Sequence, residues 1–224
     1  NRRGQLISYG RGAQGELLGL SFEGTSLEFT YDPSHRITAA MGDEGQTSLE
    51  FTGNSQVARI DFPPPDGRYL QSEFDSSGRR TGLSNQRGAS ADRGYQYDDV
   101  GRLAAVLDEN GVPLALFTYD AAGRLSQRAL ANGVTSAYTY DSVGRVGSLT
   151  TTDPDEEVIS FYNYSRDSLG RVVEVDAHFG TWTFEYDLAD RLILAVLDAD
   201  EDSGGTDRAM VFVYDAAGNR VESG

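Results

Sequence analysis

The sequence predicts an all-β fold: tandem β-hairpin repeats forming one continuous curved or spiralling antiparallel sheet. Three observations predict it. A nine-residue phrase recurs, as YQYDDVGRL from Tyr95, FTYDAAGRL from Phe117, YTYDSVGRV from Tyr138 and FEYDLADRL from Phe184. Its interval is about 21 residues, a period that marks a repeat architecture and outranks any local assignment. Apolar and polar residues alternate through Leu116, Phe117, Thr118 and Tyr119, which is the spacing of a strand.

Each element of the repeat has a reason. DAAG fits a type I turn, with Asp120 at the first position and Gly123 at the fourth. Gly123 takes positive φ without steric cost, giving a three-residue hairpin loop. That loop sets Asp120 opposite Arg124 and Tyr119 opposite Leu125. Carboxylate and guanidinium then pair on one face, and tyrosine and leucine pack on the other.

Read along the chain, the Tyr119 position is filled by Tyr31, by Gly53 in the faded copy FTGNSQVARI, and by Phe74, Tyr97, Tyr140, Arg166, Tyr186 and Tyr214. Tyr31 is followed by Asp32, and Tyr97-Asp98 by Gly101-Arg102. Tyr140-Asp141 leads to Gly144-Arg145, and the Arg166 copy ends in Gly170-Arg171. Tyr186-Asp187 leads to Arg191, and Tyr214-Asp215 to Gly218 and Arg220 with Asn219 inserted between them. Where glycine is lost, His35 and Asp190 stand in its place, two residue types that tolerate positive φ.

The other end of each repeat turns too. Asn110-Gly111 and Asn132-Gly133 are strong hairpin signals. Two strands in each of about nine copies make roughly eighteen strands, more than a flat sheet carries before it curls. The aromatic stripe that runs through Phe29, Tyr31, Phe117, Tyr119, Tyr138, Tyr140, Phe184, Tyr186, Phe212 and Tyr214 falls largely on one face. Residues 1–224 read as a single array, with 1–66 as degenerate N-terminal repeats and PPPDG at 63–67 as punctuation. The opening NRRGQL and closing RVESG read as cuts in a longer repetitive polypeptide.

Composition narrows the partners. The chain is 38% hydrophobic before its 26 glycines are counted, enough to bury apolar surface. It has no cysteine, hence no disulfide and no thiolate metal site. All 19 cations are arginine and the net charge is −16, which repels nucleic acid and anionic membranes. No apolar run approaches the roughly 18 residues of a membrane helix.

Tyr-Asp-x-x-Gly-Arg at this period resembles the RHS/YD-repeat family, which includes bacterial Rhs-type shell proteins and, more distantly, the teneurins. YDAAGNRV at 214–221 is similar to a common variant there. The resemblance implies repeats that wind into a spiral sheet and close into a hollow shell. Bacterial members often enclose a toxic C-terminal domain or secreted cargo, teneurins act in adhesion, and some members are linked to carbohydrate binding. The implied function is therefore a structural segment of a shell, or of a large secreted or cell-surface protein, that encloses or displays another domain. Its partners would be neighbouring repeats or an enclosed C-terminal domain of the same polypeptide. The alternative is an adhesion module that binds glycan or a protein partner. The shell-closing core segment of larger members has no counterpart here, nor does a toxin domain, and about nine repeats is short for a full shell.

Catalysis is not expected. His35 and His178 lie several repeats apart, and the chain contains no nucleophile elbow, P-loop or dinucleotide fingerprint. No cofactor is implied. Long repeats carry acidic insertions at 152–158 and 197–207, both at the edge opposite the Tyr-Asp turns. Asp198, Asp200 and Asp202 form the D-x-D-x-D opening of a calcium loop, yet Ser203 replaces its glycine and Ala209 its glutamate, so a solvated acidic loop is the stronger reading. Trp182, Tyr162 and Tyr164 could stack on a sugar ring, although filling the repeat core explains them more simply.

Overall fold

A computed structural model describes residues 7–22, 24–65, 67–85, 92–200 and 204–223. Among them are twenty strands and no helix, as the alternation predicts. They fall into two compact units, Asn1–Leu114 and Ala115–Gly224.

Unit 1 holds β1 (Ile7–Arg11), β2 (Leu17–Phe22), β3 (Thr25–Tyr31), β4 (Ile37–Gly42) and β5 (Gly45–Phe51). It continues through β6 (Val57–Asp61), β7 (Tyr69–Phe74), β8 (Arg80–Asn85), β9 (Arg93–Tyr97) and β10 (Leu103–Leu107). Unit 2 is built from β11 (Pro113–Tyr119), β12 (Leu125–Leu130), β13 (Thr135–Tyr140), β14 (Val146–Thr152) and β15 (Val158–Arg166). It ends with β16 (Val172–Ala177), β17 (Gly180–Tyr186), β18 (Leu192–Ala199), β19 (Arg208–Tyr214) and β20 (Arg220–Ser223). Within each unit every strand pairs antiparallel with the next in sequence, as β11 does with β12 and β17 with β18.

The expected turn is present. The Asp120 N–H donates to the Arg124 carbonyl at 2.8 Å, the Gly123 N–H donates to the Asp120 carbonyl at 2.9 Å, and Tyr119 lies opposite Leu125. Gly123 has φ of 81°, and its substitutes His35 and Asp190 have 58° and 61°. The opposite edge uses the same device. Leu130 bonds to Val134 and Asp108 to Val112 across three-residue loops, so the Asn-Gly pairs are the last two residues of a longer turn and not two-residue turns of their own.

Register corrects four details. Phe51 lies opposite Val57 and the Thr52 N–H donates to the Gln56 carbonyl, so Phe51 fills the tyrosine position that the sequence assigned to Gly53. Glycine spacing misled there, because Ser55 carries the positive φ, at 64°. Asn219 is not an insertion. Asp215 pairs with Asn219 across the turn and Tyr214 lies opposite Arg220, so Asn219 fills the arginine position and Arg220 the leucine position. Upstream, RGAQGELL makes the same turn, with the Gly12 N–H on the Glu16 carbonyl and Arg11 opposite Leu17. Finally, residues 152–158 do not form a longer loop: Asp153 bonds to Glu157 in a turn of ordinary size, and the added residues lengthen β14 and β15.

Each unit is one layer thick. Burial alternates along the strands, so Phe117, Tyr119, Tyr138 and Tyr140 are half-buried and Thr118 and Thr139 are exposed. The only buried apolar residues among those described are Ala39, Ala105, Ala177, Ala195 and Leu197. The chain exposes 14659 Å², against about 10,000 Å² for a compact monomer of this mass.

One glycine is held by its neighbours. Gly180 has φ of 133°, and a Cβ there would lie 2.3 Å from the Asp198 carbonyl oxygen and 2.7 Å from Ala199 Cα. Gly111 has φ of 79° and nothing within 4 Å of the corresponding position. Gly111→Ala should therefore cost only backbone strain, about 1–2 kcal/mol, and Gly180→Ala about 3 kcal/mol or more. Urea unfolding of the two variants decides it; equal midpoints would remove the close approach at Gly180.

Candidate functional site

The densest arrangement of polar groups is the ladder of Tyr-Asp turns along one edge of each unit. In each turn the aspartate works from inside the loop. Asp120 Oδ1 accepts the N–H groups of Ala122 and Arg124, both at 2.9 Å, and Oδ2 accepts Arg124 Nε at 2.7 Å. The same set recurs at Asp32, Asp75, Asp98, Asp141, Asp167 and Asp187. Asp215 keeps it with Asn219 in place of the guanidinium, at 3.1 Å. In the degenerate first copy the Glu16 carboxylate caps the turn by accepting the Gln14 N–H.

The arginine does not stay on the face opposite the tyrosine, as strand alternation alone implied. Held by its aspartate, Arg124 lies 4.5 Å over the ring of Tyr140 in the next repeat. Arg36 covers Phe51, Arg79 covers Tyr97, Arg171 covers Tyr186 and Arg191 covers Tyr214, all at 4.5–4.8 Å. The tyrosine rings answer with their hydroxyls. Tyr140 Oη donates to the Leu125 carbonyl at 2.8 Å, and Tyr31, Tyr97, Tyr186 and Tyr214 make the equivalent bond to Leu17, Arg80, Val172 and Leu192. Where glycine is absent, the preceding arginine also bonds its substitute: Arg36 to Ser55 Oγ and Arg171 to Asp190 Oδ1.

Arg166 breaks this pattern. It fills the tyrosine position and its Nη1 replaces the hydroxyl by donating to the Val146 carbonyl at 2.8 Å. Arg145 consequently has no ring at that position to cover, and its side chain is the most exposed arginine among the paired turns, at 43%.

The ladder lowers carboxyl pKa values. Asp120 sits below its ordinary 3.8, held there first by the Arg124 N–H and, against partial burial, by the guanidinium. The same balance brings Asp141 to about 2. At Asp98 and Asp167 burial is the largest single influence and acts upward, but the combined hydrogen bonds from Arg102 and Arg171 prevail.

Other sequence candidates do not converge. His35 is a turn residue. His178 lies in the two-residue turn between β16 and β17, edge-on to Tyr162 and Phe179. Asp198 is an exposed strand residue opposite Thr181, and Asp202 lies outside the described residues. Among the described residues no group of three or more His, Cys, Asp or Glu could hold a metal. Trp182 and Phe184 stack on one strand with centroids 6.1 Å apart, whereas the Tyr162 ring meets His178 and Phe179 edge-on.

The profile of the RHS repeat matches residues 97–135 and 119–158, over the turns at Asp98, Asp120 and Asp141. Residues 97–158 thus match the RHS repeat. The chain is 31% identical, over 139 residues, to the toxin protein Tse5 of Pseudomonas aeruginosa; the match takes in 62% of the chain and 9% of Tse5. Its fold is similar to the crystal structure of TcdB2-TccC3, with a TM-score of 0.78 and 18% identity over 98% of this chain and 14% of that one. The Tc holotoxin pore of Photorhabdus luminescens gives a TM-score of 0.63 at 16% identity, over 97% and 14%. The chain thus spans a small part of each of these proteins.

Two outcomes test the ladder. The folded pKa values lie below the unfolded ones, so the stability that these carboxylates supply is complete above pH about 4 and is lost as pH falls through the folded values, about 2 at Asp141. Melting temperature, followed by circular dichroism, should be level from pH 7 to about 4 and drop steeply below. Arg166→Tyr should raise the melting temperature by about 2 °C, because it gives Arg145 a ring to cover. That gain should vanish in an Arg145→Ala background; a gain of the same size there would detach it from the guanidinium.

Proposed function

We propose that this chain is a wall segment of an RHS-type shell: a structural array, not an enzyme, that encloses or displays another domain of a secreted or cell-surface polypeptide. The observation that carries this reading is the single-layer sheet with a half-buried aromatic face. A sheet one layer thick normally hides its apolar face against a second element, and each unit lacks one among its described residues. A shell supplies that second element as its contents. Similarity to segments of Tse5 and of TcdB2-TccC3 supports the same conclusion.

The test uses the longer natural polypeptide. Segments beyond the repeats should resist added protease until the repeats are unfolded by acid, as the turn carboxylates protonate. Digestion of those segments at the same rate as when they are expressed alone would overturn the reading.

Glycan binding is the second reading, favoured by the near-parallel rings of Trp182 and Phe184, 12° apart. Trp182→Ala should then abolish retention on a glycan array, and unchanged retention would discard Trp182 as the platform.

A further inference from the structure

We propose that the aromatic face of unit 2 is built to receive an acidic polypeptide surface. Charge is sorted between the two faces of this sheet. Residues directly opposite one another on paired strands share a face. Glu174 lies opposite Ser165 and Thr183, Asp176 opposite Asn163 and Thr181, Asp198 opposite Thr181, and Glu185 opposite Leu194. All four belong to the face that alternates away from the aromatic stripe.

Four arginines face the other way. Arg128 lies opposite Phe117 and Ser136, Arg166 opposite Val172 in line with Tyr162 and Tyr164, Arg208 opposite Leu197, and Arg220 opposite Tyr214. The turn arginines of unit 2 each have an aspartate. These four make no ion pair among the described residues. Arg166 and Arg220 lie 5.5 and 5.6 Å over Tyr164 and Phe212. Arg128 reaches Ser136 Oγ with Nη2 at 3.3 Å, and its Nε is buried with no acceptor.

These four are the arginines of unit 2 without a counter-ion among the described residues. Four on one face, with the strand carboxylates on the other, make that face the complement of an anionic partner. Scale identifies the partner as a macromolecule. From β12 to β20 the sheet steps eight times at about 4.8 Å per strand, too far for one small anion to meet all four guanidiniums. The surface between them is aliphatic and aromatic: Leu149, Val175, Trp182, Phe184, Leu197 and Phe212. A protein surface with carboxylates spaced among apolar groups matches both features. Uniformly charged nucleic acid matches only the first.

The inference rests on the wall reading for where the partner comes from, and the two fail separately. A wall that shields its contents without preferring acidic ones passes the protease test and fails this one. Trp182, the single tryptophan, lies on the face concerned and serves as reporter. The whole chain is titrated with the random copolymers poly(Glu,Tyr) and poly(Lys,Tyr) and with oligothymidylate. Poly(Glu,Tyr) should shift Trp182 emission despite having the same sign of charge as the chain, and about 0.5 M salt should weaken it. The variant R128Q/R166Q/R208Q/R220Q should raise its Kd by about tenfold or more, and the matching quadruple lysine variant should largely retain it. If the glutamine quadruple does not melt cooperatively, R208Q/R220Q decides, since both side chains are exposed; its Kd should rise about threefold. No response to poly(Glu,Tyr), an unchanged Kd in the glutamine variants, or tighter binding of oligothymidylate or poly(Lys,Tyr) at Trp182 would overturn the proposal.

Discussion

The aspartate carboxylate inside each turn connects three scales of the structure. Its Oδ1 takes two backbone N–H groups of the loop, so the hairpin closes at a fixed length. Its Oδ2 fixes one guanidinium in place. That guanidinium lies on the next repeat's ring, whose hydroxyl bonds back to the residue following the arginine. Turn, ion pair and inter-repeat seam are thus one chain of contacts that starts at a single oxygen pair. An exposed ion pair contributes little by itself; here it places a cation where a ring and a hydroxyl depend on it.

This explains why the chain has arginine and no lysine. A planar guanidinium can bond a carboxylate with Nε and Nη2, present its face to a ring, and leave Nη1 to reach the following turn, as Arg171 does with Asp167, Tyr186 and Asp190. An ammonium group has neither the fork nor the flat face. The same side chain, without an aspartate, gives unit 2 its positively charged aromatic face.

Much of this was legible in the sequence because turn chemistry is local. Asp120 through Arg124 specifies loop length, positive φ and register within five residues, and His35 and Asp190 disclosed the backbone requirement by satisfying it without glycine. The seam between repeats was not legible. Arg124 and Tyr140 recur in step, but only the three-dimensional offset of neighbouring hairpins shows that one covers the other. The faded copies were misplaced for a related reason. Gly53 was aligned by interval although Ser55 carries the strained position, and the Gly12 turn was missed because Glu16 supplies from the arginine position the carboxylate that Gly12 lacks. An apolar residue after the fourth turn position, as in GELL, was the signal available. Face sorting of Glu174, Asp176, Arg128 and Arg166 was implicit in the alternation but needed the bulge at each Tyr-Asp turn to be counted, since one extra residue reverses which side a strand residue faces.

Contacts that run only between adjacent hairpins give the array the mechanics of a zip. Under a pulling force applied at one end of unit 2, strands part in order, and each joint resists with its backbone ladder, to which most add one stacked cation and one hydroxyl bond. The joint between Arg145 and Arg166 lacks the stacked pair, because an arginine occupies the ring's place. The lengthened β14 and β15 set five paired positions across that joint, against three between β12 and β13, so the array trades a stacked cation for a longer ladder at that one place.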